Sequence, residues 1–374
     1  MNGVLSNPLQ DAPVVPGDRP GWLKALGFGA LMAASLVMTS ALMRLLLPFP
    51  QVPNVEAKIE HLATSATPYD VLFLGTSRIY RQISPSIFDE LTREGGRPFH
   101  AFNLGIDAMR PPEDAYVLEI ALKARPEGWT FVCVELNRLR AEVDRENVGT
   151  IRAAYWHDVE RTALVLRRAL VAPHSFEWRR RLADGLQHLT LFAQRSVNFG
   201  QGTRLTAWLA ERRPKLSWKP LGPRRDGFTL AAKRDSMSDS ERIRYQRELA
   251  ALREKPASAA EFDPISQEAL ERVIGQIEEV GAIPVLLVLP TTIPFNFYPR
   301  EARRRFLRIL DFSDPAAYPE LFLPENRLDR MHLNSQGAQV FTRILAARFL
   351  EYISDLPANW LPDPALQHSA VQRE

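Results

Sequence analysis

Two kinds of apolar pattern divide this chain. Residues 25–43 carry no charged side chain and are mostly Leu, Ala, Met, Val, Phe and Gly. At about 1.5 Å per residue, such a helix nearly crosses a ~30 Å hydrocarbon core. Leu45 to Leu47 can extend it, with Arg44 snorkelling to the interface. From residue 69 the pattern changes to short apolar blocks bounded by turn residues. Val71-Leu72-Phe73-Leu74, between Asp70 and Gly75, is apolar at consecutive positions, as a strand buried on both faces of a parallel sheet must be. Blocks at 100–104, 130–136 and 283–289 predict three more strands, with Pro284 tolerable at a strand start. The intervening stretches predict helices over 55–63, 85–93, 113–124, 263–280 and 337–352; Ser84 would be the N-cap of the second, with Pro85 at its first position. Strands alternating with helices predict an α/β fold with a mainly parallel sheet and reactive groups beyond the C-terminal strand ends. Residues 149–262 break the alternation and predict a largely helical insertion, with no clear strand.

The organisation that follows is a Pro/Gly-rich cytoplasmic tail at 1–24, a transmembrane signal anchor at 25–47 and a linker at 48–68. The core then occupies 69–148 and 263–356, split by the insertion at 149–262, with a polar tail at 357–374. Arg19 and Lys24 precede the apolar segment, and Trp22 sits where an interfacial aromatic belongs. Positive charge on the short side favours N-in. The expected location is therefore the cytoplasmic membrane, single-pass, with the main body on the extracytoplasmic side. A cleaved signal peptide is the main rival, but Arg44-Leu45-Leu46-Leu47 is no small-x-small cleavage site. A buried core helix fits poorly with a segment apolar all round.

Composition narrows the picture further. The chain has 374 residues, enough for a substantial core, and its 45% hydrophobic and 24% charged content excludes wholesale disorder. The net charge of +3 makes no case for nucleic acid, which the anchor also disfavours. The single cysteine, Cys133, lies in Phe131-Val132-Cys133-Val134 and reads as a buried strand residue. Charge is unevenly spread: residues 151–227 hold fifteen Lys and Arg against six Asp and Glu, in runs such as Arg179-Arg180-Arg181, Arg212-Arg213 and Arg224-Arg225. Trp156, Trp178, Trp208 and Trp218 are interleaved. This insertion reads as a solvated surface over a Trp-containing core, as a groove for an anionic polysaccharide, or as a face against anionic lipid heads. Leaving after the third strand, it is expected to wall the active edge, with 179–181 facing the site. The basic run at 301–305 reads as a charged helix face.

Two local motifs carry candidate chemistry. Leu74-Gly75-Thr76-Ser77-Arg78 puts a small-residue turn directly after a buried strand, so that Ser77 emerges at the edge where α/β sheets expose reactive groups. Asp329-Arg330-Met331-His332-Leu333-Asn334 lets the Asp carboxylate meet His Nδ1–H across a tight loop, leaving Nε2 free to take a proton from a serine. Alone, Ser77 also reads as a turn or cap residue, and His332 as a loop histidine capping a helix. No second His or Cys stands at metal-ligand spacing near them.

Together the blocks Gly75-Thr76-Ser77, Asn103-Leu104-Gly105, Glu135-Leu136-Asn137 and Asp329 to His332, with the ending His332-Leu333-Asn334-Ser335-Gln336-Gly337-Ala338, resemble the SGNH/GDSL hydrolase superfamily. The resemblance covers residues 69–148 and 263–352. It implies a flavodoxin-like three-layer α/β/α SGNH fold with the insertion and N-terminal transmembrane helix added. It also implies Ser77 as nucleophile, His332 and Asp329 completing the triad, and an oxyanion hole from Ser77 N–H, Gly105 N–H and Asn137. Asn137 reads alternatively as a turn cap. Gly-Thr-Ser-Arg replaces the Gly-Asp-Ser of secreted lipases, and the third block offers Leu136-Asn137-Arg138 instead of Gly-x-Asn-Asp. That first block, with a membrane helix, is more similar to membrane-anchored cell-surface polysaccharide O-acetyltransferases. Arg78 would orient an anionic substrate group or form an ion pair within the fold. The expected function is serine acyl-ester chemistry, transfer or hydrolysis, on a cell-envelope glycan. An acyl donor and a membrane-embedded acyltransferase partner are implied, with no metal or organic cofactor. The alternative is a non-catalytic SGNH-fold glycan-binding or assembly protein.

Overall fold

The structure, a computed structural model, describes residues 21–46, 52–144, 147–171, 178–198, 201–210, 217–230, 234–254, 260–293, 297–299 and 308–357. The tail up to residue 20, most of the Pro-rich exit, Arg212-Arg213, the 301–305 run, the Trp208 side chain and the tail beyond 357 lie outside the described residues.

The molecule is a mixed α/β structure around a five-stranded parallel sheet. Helix α1 (Gly21–Leu46) is long and apolar enough to span a membrane, and its large side chains are exposed. Then come α2 (Pro53–Thr64), β1 (Val71–Gly75), α3 (Ser77–Gln82), α4 (Pro85–Glu94), β2 (Ala101–Gly105), α5 (Glu113–Ala124) and β3 (Phe131–Glu135). The insertion contributes α6 (Ile151–Ala154), α7 (Val159–Val171), α8 (Trp178–Ser196), α9 (Gly202–Leu209), α10 (Asp239–Glu254) and a two-residue strand β4 (Ala260–Glu261). The chain closes with α11 (Pro264–Glu279), β5 (Ile283–Val288), β6 (Phe297–Tyr298), β7 (Arg308–Asp311) and α12 (Ser335–Ser354).

The main sheet runs β2-β1-β3-β5-β7, every pairing parallel. Side chains alternate between its faces. Leu72, Leu74, Phe102, Leu104, Val132, Val134, Leu286 and Val288 pack with α2, α5 and α11. Val71, Phe73, Phe131, Cys133, Val285 and Leu287 pack under α4, α10 and α12, where Phe349 meets Phe88, Phe99 and Phe131 edge-on at 5.0–5.7 Å. Burial on both faces explains the unbroken apolar blocks. Cys133 is a fully buried free thiol, and burial raises its pKa.

Three expectations change. β7 is a fifth strand that the apolar blocks did not reveal, and β4 is a strand within 149–262, paired with β6. Ser84 sits at the N-cap of α4 but makes no side-chain cap; its Oγ pairs with Ser86 Oγ at 3.0 Å. By contrast Asp263 does cap α11, accepting from Ile265 and Ser266 N–H.

The insertion also covers an exposed edge. Asn103 N–H in edge strand β2 donates to Asp226 O at 2.9 Å. Beneath that contact the buried Lys58 ammonium donates to Asn103 O, Gly105 O and Gly227 O at 2.7–2.8 Å, 4.0 Å from the centre of the Tyr80 ring. Burial pushes this lysine well below its usual pKa. The segment 217–230 thus closes an edge that would otherwise offer free strand hydrogen bonds.

Candidate active site

β1 lies between β2 and β3, so the chain turns to opposite sides of β1 in making its first two crossovers. A crevice opens beyond the strand ends at such a switch point. The loops after β1 and β3 both enter it.

The turn after β1 is built around a buried carboxylate. Glu135, the last residue of β3, accepts from Thr76 N–H at 2.5 Å and from Thr76 Oγ1 at 3.1 Å, and pairs with Arg78 Nη2 at 2.5 Å. A Cβ on Gly75 would lie 2.5 Å from Glu135 Oε2 and 2.4 Å from Ile79 Cγ1, so only glycine leaves room for this carboxylate. Thr76 caps α3 by accepting Arg78 N–H, which leaves Ser77 as the first residue of the helix. The Ser77 N–H accordingly makes no intrahelical bond and points out at the helix N-terminus.

Ser77 Oγ lies 2.8 Å from His332 Nε2. His332 Nδ1 lies 2.9 Å from Asp329 Oδ2 and 3.1 Å from Oδ1. Asp329 Oδ1 also accepts the N–H groups of Met331 and His332, at 2.6 and 2.8 Å. Burial alone would push the Asp329 carboxyl up, but these bonds outweigh it and hold the pKa at about 2. Asp329 is therefore ionised across the working pH range and fixes the imidazole with Nδ1 protonated and Nε2 facing the serine.

The loop carrying this pair is held by groups that sequence reading missed. Arg327, fully buried, donates to Pro290 O, Leu321 O and Arg330 O. On α10, Glu248 accepts from Arg330 Nη1 at 3.1 Å and Thr292 Oγ1 at 3.0 Å. A charged residue inside a loop gives no pattern from which such a role can be read.

The structure does not bring the Gly105 N–H to Ser77. That N–H donates to Asn103 Oδ1 at 2.9 Å, while Asn103 Nδ2 ties off Ile79 O and Ile83 O at the end of α3. Gly105 instead allows β2 to pass close to α3, because a Cβ there would lie 2.2 Å from Tyr80 N. From this loop Ala108 and Arg110 reach the Ser77 cleft, with Ala108 at φ 57°, a left-handed conformation unusual for alanine. Asn137 also lines the cleft; its Oδ1 faces Arg78 Nη2 at 3.4 Å, so Nδ2 is the end left to donate. Arg78 is only 8% exposed and bound to Glu135, which makes it an ion-pair partner within the fold.

The cleft has a volume of about 390 Å³. Besides Thr76, Ser77, Arg78 and His332 it is lined by Arg110, Arg138, Arg140, Asp144, Thr291, Ile293, Phe297 and Met331. Among the described residues, none from 149–262 lines it. The insertion contributes instead to a second cleft of about 510 Å³ on the other side of Asp329, lined by Lys219, Thr229 and Arg234. The expected basic wall from 179–181 is therefore replaced by arginines on the loops after β2 and β3. The Arg138 guanidinium stacks 4.2 Å from the Phe297 ring centre, and Arg110 pairs with Asp144 at 3.6 Å. Burial, and then the neighbouring Arg110 and Arg138, lower the Arg140 pKa. Among the described residues no His/Cys/Asp/Glu cluster suits a metal ion.

No family model matches this chain, and no curated protein matches it significantly.

Proposed function

We propose that this chain is a serine-dependent acyl-ester enzyme of the SGNH type, working at a membrane surface and moving an O-acyl group to or from a glycan. The observation that carries the reading is the hydrogen-bonded line from Asp329 through His332 to Ser77 Oγ, which ends in an open cleft. The strand order supports it: numbered within the main sheet, the strands run second, first, third, fourth, fifth, the flavodoxin-like doubly wound order. The apolar α1 supports work at a membrane.

In this reading Ser77 Oγ attacks the acyl carbonyl while its proton passes to His332 Nε2. Asp329 stabilises the imidazolium without taking the proton. The carbonyl oxygen becomes an oxyanion, and the available donors are Ser77 N–H, Asn137 Nδ2 and Ala108 N–H. Each such donor typically contributes about 3 kcal/mol to the transition state. The tetrahedral adduct collapses as His332 returns the proton to the departing alcohol oxygen, leaving the acyl group on Ser77. Water or a sugar hydroxyl then attacks that ester, giving up its proton to Nε2, and Ser77 leaves with the proton back on Oγ. The acceptor present in the cleft decides between hydrolysis and transfer. Arg110, Arg138 and Arg140 make an anionic glycan the favoured acceptor, since guanidiniums bind carboxylates and phosphates in bidentate fashion.

The test is an alkyl fluorophosphonate on the full chain, read by peptide mass mapping. One adduct on Ser77 is expected, absent in Ser77→Ala and slowed by about three orders of magnitude or more in Asp329→Asn. A folded protein that gives no adduct, or one elsewhere, would overturn Ser77 as the nucleophile and favour the non-catalytic glycan-binding alternative.

A further inference from the structure

The outer face of α8 carries Trp178, Leu182, Leu186 and Leu189, spaced by four, four and three residues, so that they form one stripe. Their exposures are 68%, 54%, 55% and 47%. The exposed Ala193 extends the stripe, and no charged residue interrupts it. Leu170 and Val171, at the end of α7, which packs against α8 to form a helical hairpin, are exposed as well. The opposite face is tied to the body. Leu191 is buried, and His188 Nε2 donates to Ala141 O at 2.8 Å. That donation leaves His188 Nδ1 to accept from His157 Nε2 at 2.9 Å. The helix therefore cannot roll to hide its apolar stripe.

The position of α1 identifies what covers it. Ser40 is buried at 3% exposure in an otherwise exposed stretch, because Asn198, two residues beyond α8, donates from Nδ2 to Ser40 O at 2.6 Å. The end of α8 thus sits against the last turns of the apolar helix, about 9 Å before that helix ends. At the far end of α8 stand Arg179, Arg180 and Arg181, with the Arg179 guanidinium 5.6 Å from the Trp178 ring centre. A Trp/Leu stripe flanked by arginines is the composition of a helix lying in the headgroup region of a bilayer.

We infer that the α7–α8 hairpin lies on the same bilayer that α1 crosses, with the Trp178–Leu189 stripe at the acyl boundary and the neighbouring arginines among anionic headgroups. The inference rests on α1 spanning that bilayer and is independent of the Ser77 chemistry. Its consequence is positional: Ala141 follows the loop that supplies Arg138 and Arg140, so the hairpin sets the cleft relative to the membrane.

Spin labels on single cysteines test this in the full chain, reconstituted into phosphatidylcholine vesicles containing phosphatidylglycerol; the buried Cys133 stays unlabelled. The sites are Leu36→Cys in α1, Leu182→Cys and Leu186→Cys on the stripe, and Ile243→Cys on the exposed side of α10. The measurement is accessibility to oxygen relative to a water-soluble nickel chelate. Ratios severalfold higher at 36, 182 and 186 than at 243 are expected. If 36 reads lipid while 182 and 186 match 243, the hairpin inference is overturned and the spanning helix stands. If 36 itself reads water, premise and inference fall together. Spin–spin broadening at 186 without oxygen access would mean that a second copy covers the stripe, which also overturns it.

Discussion

Removing the Glu135 carboxylate would release three groups at once: the Thr76 amide, the Thr76 hydroxyl and the Arg78 guanidinium. The Arg78 charge would then be left buried without its partner, and Arg78 Nε already lacks a hydrogen bond. Breaking one side of a buried pair typically costs about 3–5 kcal/mol. Glu135→Ala should therefore lose stability on that scale in urea unfolding and label more slowly at Ser77. Glu135→Gln, which can still accept from Thr76, should fall between the two. A Glu135→Ala protein as stable as the wild type would show that the pair does not hold the turn. Gly105 is likewise decided by its immediate contacts. A glycine after a strand reads as a backbone donor, but its N–H was already committed to Asn103, and the cleft wall passed to Ala108.

At the scale of elements, the loops leaving β2 and β3 do what the insertion was expected to do. They carry Arg110, Arg138 and Arg140 to one wall. Among the described residues Asp144 is the one carboxylate lining the cleft beside these three guanidiniums, so the wall is basic and suits an anion. The double variant Arg138→Ala/Arg140→Ala should raise KM for an anionic acceptor about tenfold more than KM for a neutral ester, since a charged hydrogen bond is worth roughly 1.5–3 kcal/mol. The wild-type preference should fade as salt screens the wall. Equal effects on both acceptors would remove the anionic part of the functional reading.

Across the whole molecule, the sheet is buried so completely that it also traps acids. Burial pushes the Asp114 carboxyl, at the start of α5, up to about 7, against 3.8 when exposed. The folded state then binds the proton that the unfolded state releases between those values, so this residue favours stability as pH falls from 8 toward 4. The contribution is about 3 kcal/mol between pH 8 and pH 5. Asp114→Asn, neutral at every pH, should be more stable than wild type at pH 8 and should show a flatter stability profile from pH 5 to 8. Denaturant midpoints across that range check it, and an unchanged slope would mean that Asp114 titrates normally.

The sequence alone determined what depends on burial and on neighbours close in the chain. Four strands were legible because a strand covered on both faces must be apolar at every position. The Asp329–His332 contact was legible because its partners stand three residues apart in one loop. β7 was not, because an edge strand, Arg308-Ile309-Leu310-Asp311, has one well-buried residue and no apolar run. The tertiary structure alone decided the rest. It brought Ser77 to a histidine 255 residues away and gave Arg78 to Glu135 across two strands. It also chose which basic residues face the cleft. Arg179-Arg180-Arg181 is dense in sequence and does not line the cleft, while Arg110, Arg138 and Arg140 are scattered and converge there. A parallel sheet delivers every loop after a strand to one edge, so residues from separate blocks meet there and local charge density predicts little.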